Sequence, residues 1–241
     1  MVILIAIQVF ITLLFFIFGW AILKKEAYGI ISGFATRPKE EQKQLIENGF
    51  PQKTGRLFIF TGLGMLILLP LSFTSFIYAV EVQFGFMLVF LLGGIIYLSK
   101  YELPHKRKRS YMISISLFVV VMSSLGYLSF LGYQDYKLVM KEDSFEITGM
   151  YGDEWKFKDI NKLEVLEKVP EVTVKQNGFG TASMAKGVFS VKGYGSSLLF
   201  IKHGASLEIL YIEAGNTKIF INGKDITETR GWFEQLQKYA E

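Results

Sequence analysis

The chain has 241 residues, of which 51% are hydrophobic and 20% charged, and its mean hydropathy of +0.33 is too apolar for an ordinary soluble globule. No Cys is present and the two His residues, His105 and His203, stand far apart, which excludes a disulfide framework, thiolate chemistry and any recognisable zinc spacing. The first 133 residues hold 12 Lys and Arg against 6 Asp and Glu, whereas the remainder hold 14 against 16, so the net charge of +4 reports membrane topology and gives no ground for a nucleic-acid partner.

Residues 1–23 carry no charge and match the ~20 residues needed to cross a bilayer. Lys24 and Lys25 follow this run and no basic residue precedes it, the reverse of a cleaved signal peptide, so a retained span is expected. Three further spans are expected at about 57–79, 82–99 and 110–133, each free of Asp, Glu, Lys, Arg and His, with Glu81 marking the turn between the second and third. All twelve basic residues fall in two connecting segments, 24–56 and 100–109. Because basic residues are retained in cytoplasmic loops, both segments are expected inside, with the N-terminus and everything after Tyr133 outside. If 57–99 crossed an odd number of times, the C-terminal part would move to the cytoplasm.

The first basic segment contains its own helix signals. Thr36 is expected as cap, Pro38 in the first turn, Glu40 and Glu41 near the N-terminus and Asn48-Gly49 at the end. The second contains Lys106, Arg107, Lys108 and Arg109 in succession, read both as a topology anchor and as a binding place for anionic lipid headgroups. Pro70 is expected to kink the second span, and Gly93-Gly94 to let the third approach a neighbour. Polar residues at membrane depth would mark a bilayer enzyme or a coupled transporter; no charged one is found, and Ser72, Thr74, Ser75, Ser114, Ser116, Ser123 and Ser124 read as a packing seam.

From Tyr136 the pattern changes to short alternating segments, at 136–141, 144–148, 154–157, 162–169, 172–175, 187–191, 197–202, 207–213 and 218–221, the mark of an all-β unit. Gly149, Gly152-Asp153, Asn177-Gly178, the Gly193–Gly195 stretch, His203-Gly204, Gly215-Asn216 and Asn222-Gly223 supply the expected turns. Asp225 and Glu228 have capping-box spacing ahead of Trp232, Phe233, Leu236 and Tyr239, so one amphipathic helix closes the domain. No catalytic constellation emerges: the Gly-x-Gly pairs are incomplete phosphate loops, no Gly-x-Ser-x-Gly occurs, and the acidic pairs Asp153-Glu154 and Glu164/Glu167 read as a solvated face. No catalytic, metal or cofactor-binding residue is assigned and no cofactor is implied.

A sheet of about seven or more strands ending in one C-terminal helix resembles the pleckstrin-homology (PH) superfold. Residues 136–241 resemble bacterial PH-like domains, through Trp155-Lys156-Phe157 followed by Asp159-Ile160, Val169-Pro170, a Gly178-Phe179-Gly180 turn, Gly187-Val188-Phe189 and Tyr194-Gly195. Ile31-Ser32-Gly33-Phe34-Ala35-Thr36, Lys39-Glu40-Glu41 and Gly55-Arg56-Leu57 resemble a Gram-positive multi-pass membrane family of unknown function, over roughly residues 5–100. These resemblances imply a bacterial cell-membrane protein, and proteins with such PH-like domains include some that give immunity to secreted bacteriocins. The region that holds phosphoinositides in eukaryotic PH domains here reads Lys141-Glu142-Asp143, then Met150-Tyr151-Gly152-Asp153-Glu154, and its acidity argues against that ligand.

The expectation is therefore a four-span α-helical membrane domain (1–133) joined to an all-β PH-like domain (136–241) closed by a C-terminal helix. The expected function is non-enzymatic: the bilayer and a peptide or protein are the partners, engaged through an open strand edge or the groove beside the C-terminal helix. A lipid or small-molecule transport component and a membrane enzyme are the alternatives.

Overall fold

The computed structural model describes residues 2–74, 76, 78–181, 183–204 and 208–239; Met1, Ser75 and Leu207, which figure in the expected spans, seam and strands, lie outside them. The chain separates into two compact units, Met1–Ser124 and Leu125–Glu241, divided within one helix.

Unit one contains α1 (Val2–Lys25), α2 (Lys39–Glu47), α3 (Phe50–Leu68), α4 (Ala79–Leu98) and the start of α5 (Pro104–Tyr133). All but α2 are long and apolar enough to cross a membrane. α1 and α3 run antiparallel at close range because glycines face the contact: a Cβ on Gly19 would meet Ile59 at 2.7 Å, one on Gly55 would meet Leu23 at 2.7 Å, and one on Gly62 would meet Phe16 at 3.3 Å. Small residues let helices approach where lipid offers no hydrophobic drive between them. α3 and α4 also run antiparallel, with Gly64 under Phe86 and Gly94 under Leu57.

Three local expectations are corrected. Pro70 does not kink a continuing helix; α3 ends at Leu68 and Pro70 sits in a 3-10 turn, Leu69–Phe73, since it has no N–H to extend the α-helical ladder. Thr36 does not cap α2: its hydroxyl donates to the Gly33 carbonyl, and Pro38 occupies the cap position without a side-chain bond. Gly93 is not a packing glycine, since nothing lies within 4 Å of where its Cβ would be. Gly49 does end α2, at φ 77°, and α3 starts at once with Pro51 in its first turn.

Unit two holds two β-sheets and a closing helix. β1 (Leu138–Met140), β2 (Ser144–Ile147) and β3 (Glu154–Lys156) form an antiparallel meander. β4 (Ile160–Leu166), β5 (Val172–Gly180), β6 (Met184–Val191), β7 (Gly195–Lys202), β8 (Ile209–Ala214) and β9 (Thr217–Ile221) form a second sheet in the order β4-β8-β9-β7-β6-β5, with β7 and β9 parallel. Alternation sends successive side chains to opposite faces, and β6, β7, β8 and β9 bury residues on both faces of the large sheet. One face, with Phe200, Leu210, Ile212, Ile219 and Ile221, packs with Tyr136, Phe145, Ile147 and Phe157 and with Trp232 and Leu236 of α6 (Ile226–Gln237). The other holds Phe189, Leu199, Ile201, Tyr211 and Phe220. α6 begins at the expected cap, where Asp225 accepts from the Glu228 N–H at 2.8 Å; the returning Glu228 carboxylate accepts from the Lys224 N–H, one residue ahead of the cap, at 2.6 Å.

Asn177-Gly178 and Gly178-Phe179-Gly180 are not turns. They lie inside β5, whose ladder with β6 continues through Asn177↔Val188, Gly178↔Gly187 and Gly180↔Ala185. Here the backbones approach so closely that a Cβ on Gly187 would fall 2.6 Å from the Gly178 Cα, and Gly187 holds φ at +112°, a conformation open chiefly to glycine.

Candidate functional site

The two basic segments are joined side chain to side chain at one end of the helical unit. Arg37 donates a two-pronged pair of hydrogen bonds to Glu102, at 2.7 and 2.8 Å, and the Leu103 N–H donates to the same carboxylate at 2.9 Å. Burial pushes the Glu102 carboxyl up, but the Arg37 bond and the Leu103 N–H outweigh it and hold the group below its ordinary value; the Glu102 bond correspondingly raises Arg37. Lys106 donates to Glu41 at 2.6 Å. Beneath these pairs Ile22, Ile31, Phe34, Leu45 and Leu103 form a buried apolar cluster.

This geometry divides the Lys106–Arg109 run. Lys106 is committed to Glu41, whereas Arg107, Lys108 and Arg109 stand exposed with no carboxylate within 4.0 Å among the described residues, Arg107 reaching only the Glu102 carbonyl at 3.4 Å. The expected hydroxyl seam is likewise partial: Ser114 and Ser99 are buried and 3.1 Å apart.

Polar groups do lie at depth within the apolar helices, contrary to expectation, and they are amides. Gln8 of α1 and Gln83 of α4 are fully buried and meet at Ser72, which donates to Gln8 Oε1 at 3.1 Å and accepts from Gln83 Nε2 at 3.3 Å. Gln83 also donates to the Leu68 carbonyl at 2.8 Å, one of the acceptors released where α3 ends ahead of Pro70. A search for charges passes over Gln8 and Gln83; the signal was two amides in otherwise apolar runs.

In the β domain, the first hairpin is acidic as expected, and its lysine, Lys141, is bound to Glu146 at 2.9 Å and Glu154 at 2.5 Å, bonds that raise its pKa, Glu154 foremost. A buried polar knot holds the start of the domain. The Tyr136 hydroxyl lies 2.7 Å from the Phe200 carbonyl and 3.0 Å from Asn222 Oδ1, Lys186 donates to the Gln134 carbonyl, and Lys202 pairs with Asp135 at 2.6 Å. Burial lowers Lys186 and raises Tyr136; the contacts of these groups tie the start of the domain to β6, β7 and the segment after β9.

The exposed feature of this domain is β5. It ends the sheet order, bonded to β6 on one side, and residues 172–177 are all exposed, with Val172 at 41% and Val174 at 58%. Two bulges interrupt its ladder, and the residues they set out of register, Thr173 and Gln176, donate to the carbonyl and hydroxyl of Ser190 at 3.1 and 2.8 Å. The other expected surface, beside α6, is a shallow recess of about 460 Å³ between Glu142, Asp143, Lys156, Lys158 and the stacked rings of Phe157 and Tyr239, whose centroids are 4.1 Å apart.

Comparison with known families agrees with this division into two parts. Residues 9–102 match the family described as Domain of unknown function (DUF3784), and residues 136–236 match Bacterial PH domain. No curated protein and no solved structure matches the chain. A membrane-type helical region followed by a bacterial PH domain is thus the class of protein defined by fold and comparison together.

Proposed function

We propose that this is a non-enzymatic bacterial cell-membrane protein whose PH-like domain binds a peptide or protein by pairing it with the free edge of β5. The carrying observation is a nine-residue edge strand with two exposed valines. Sheet edges ordinarily carry charge, proline or bulges to prevent promiscuous pairing; β5 keeps bulges and Lys175 yet leaves apolar side chains outward, the combination suited to a selective strand-adding partner. A secreted antimicrobial peptide or an envelope protein is the partner class in view. The β domain and N-terminus lie outside the cell in this reading, supported by the Arg37–Glu102 and Lys106–Glu41 pairs, which set both basic segments at one end of the helices, and by the retention of basic loops in the cytoplasm.

Two measurements test this. A photo-crosslinker at Val174 in the full chain, in cells, is expected to give a discrete peptide or protein adduct that Asn161 on the β4 edge does not, and that Val172→Asp/Val174→Asp abolishes with the thermal melt unchanged. Identical adducts from both edges, or an adduct that survives the double substitution, overturn the edge reading. Protease added to intact spheroplasts is expected to digest the β domain; protection that ends on lysis places it in the cytoplasm. A transport component is the second reading, favoured by the Gln8–Ser72–Gln83 cluster inside the helices.

A further inference from the structure

Between α3 and α4, at the basic end of the helical unit, lies a groove of about 540 Å³, within the range of ligand sites of roughly 300–1,000 Å³. Leu57, Phe60, Val89 and Phe90 form its walls, and the floor at Gly93 is bare backbone. Its mouth carries Lys53 and Arg56, one turn apart on α3, with Tyr97 opposite on α4. The Tyr97 hydroxyl lies 2.8 Å from that of Tyr101, whose ring lies 5.5 Å from the Lys53 ammonium.

Among the described residues no carboxylate lies within 4.0 Å of Lys53 or Arg56, whereas Arg37 and Lys106 at the same end are consumed by Glu102 and Glu41. Two cations and a hydroxyl above an apolar slot match an anion joined to a hydrocarbon chain. We infer that this groove is a site for one anionic phospholipid, its phosphate held by Lys53 and Arg56 with Tyr97, and an acyl chain lying over Gly93. The inference rests on the helices being embedded in a bilayer and is independent of the β5 reading. The surface beside Arg107 and Lys108 is a poorer candidate, because a single helix, α5, supplies all of its lining.

The full chain, delipidated in detergent, is titrated with phosphatidylglycerol and with phosphatidylcholine and read by native mass spectrometry. At about fivefold in affinity for each basic residue near a headgroup, phosphatidylglycerol is expected to bind about 25-fold tighter. Lys53→Gln/Arg56→Gln is expected to erase that preference by weakening phosphatidylglycerol far more than phosphatidylcholine, and Arg56→Gln alone, at an exposed position, to reduce it about fivefold. Gly93→Leu, whose Cβ would have no atom within 4 Å, is expected to weaken both lipids together by occupying the floor. Lys108→Gln/Arg109→Gln is expected to leave the preference intact. Equal binding of the two lipids by the parent chain, an undiminished preference in the double Lys53/Arg56 variant, or loss of preference in the Lys108/Arg109 variant overturns the site.

Discussion

Phe10 in α1 is 60% exposed and Phe145 in β2 is fully buried, and many large side chains of each unit follow suit. The helical unit turns Ile67 at 75% and Val120 at 61% outward while it buries Gln8, Thr61, Ser72 and Gln83. The β unit buries Phe145, Ile212, Ile219 and Phe220 and keeps most of its charges on the surface. One chain thus contains two units built differently: the helical one turns large apolar side chains outward and buries amides and hydroxyls beside its apolar cluster, whereas the β one turns its large apolar side chains inward. In water, burial of apolar area drives folding; against hydrocarbon that drive vanishes, and close helix packing with buried polar contacts takes its place.

The sharpest way to break this contrast is the same substitution made in both units. Phe145→Ala, which removes a ring stacked on Trp155 and Phe157, is expected to destabilise the β domain by about 3–5 kcal/mol. Phe10→Ala is expected to cost less than about 0.5 kcal/mol, both read by denaturant unfolding of the full chain in detergent. A large cost at Phe10 would mean that this face of α1 meets protein instead of lipid.

Glu102→Gln comes next, at about 2 kcal/mol: removing one charge of a buried pair costs about 3–5 kcal/mol, discounted here because Arg37 is partly exposed. Since Glu102 is held below its ordinary value, the unfolded chain binds more protons through the window between the two values. The stabilisation is therefore complete above about pH 4.3 and is lost as pH falls through the lower, folded value. Melts of the parent and the variant across pH 3–6, a range of about three units around the ordinary carboxylate value, are expected to draw closer as pH falls. A constant gap would remove the charge pair as the cause.

Two smaller effects compare buried hydrogen-bonding groups in the two settings. Tyr136→Phe, which removes a hydroxyl from the buried knot beside Phe200 and Asn222, is expected to cost about 1.5 kcal/mol. Gln83→Leu is expected to cost about 0.6 kcal/mol, the average for polar contacts between membrane helices. Unfolding measurements that reverse this order would show that the amide cluster does more than join helices.

The four long helices and the Asp225 capping box were legible because their signals are local: uninterrupted apolar length, and two side chains three residues apart. Gly178 and Gly187 were not. A glycine reads alike in a reversal and in a strand, and what keeps Gly178 in β5 is the backbone of Gly187 across the ladder. Gly93 and Gly94 are adjacent and chemically identical, yet one faces open space and the other Leu57. The basic clusters were visible as charge, but which cations are neutralised depends on Glu41 and Glu102, each 65 residues from the Arg37 or Lys106 it holds.

By itself the sequence determined the class of molecule: apolar length and charge placement set a membrane-type helical part, and period-two alternation closed by a capped helix set a PH-like one. These properties come from how each segment partitions between water and an apolar phase, which depends on composition and period alone. The tertiary structure decided which strand is left at a sheet edge, which amides meet at Ser72, and which two cations face the α3–α4 groove without a carboxylate partner. Those outcomes require distant segments to be brought together, and the interactions that select them exist only once the chain has folded.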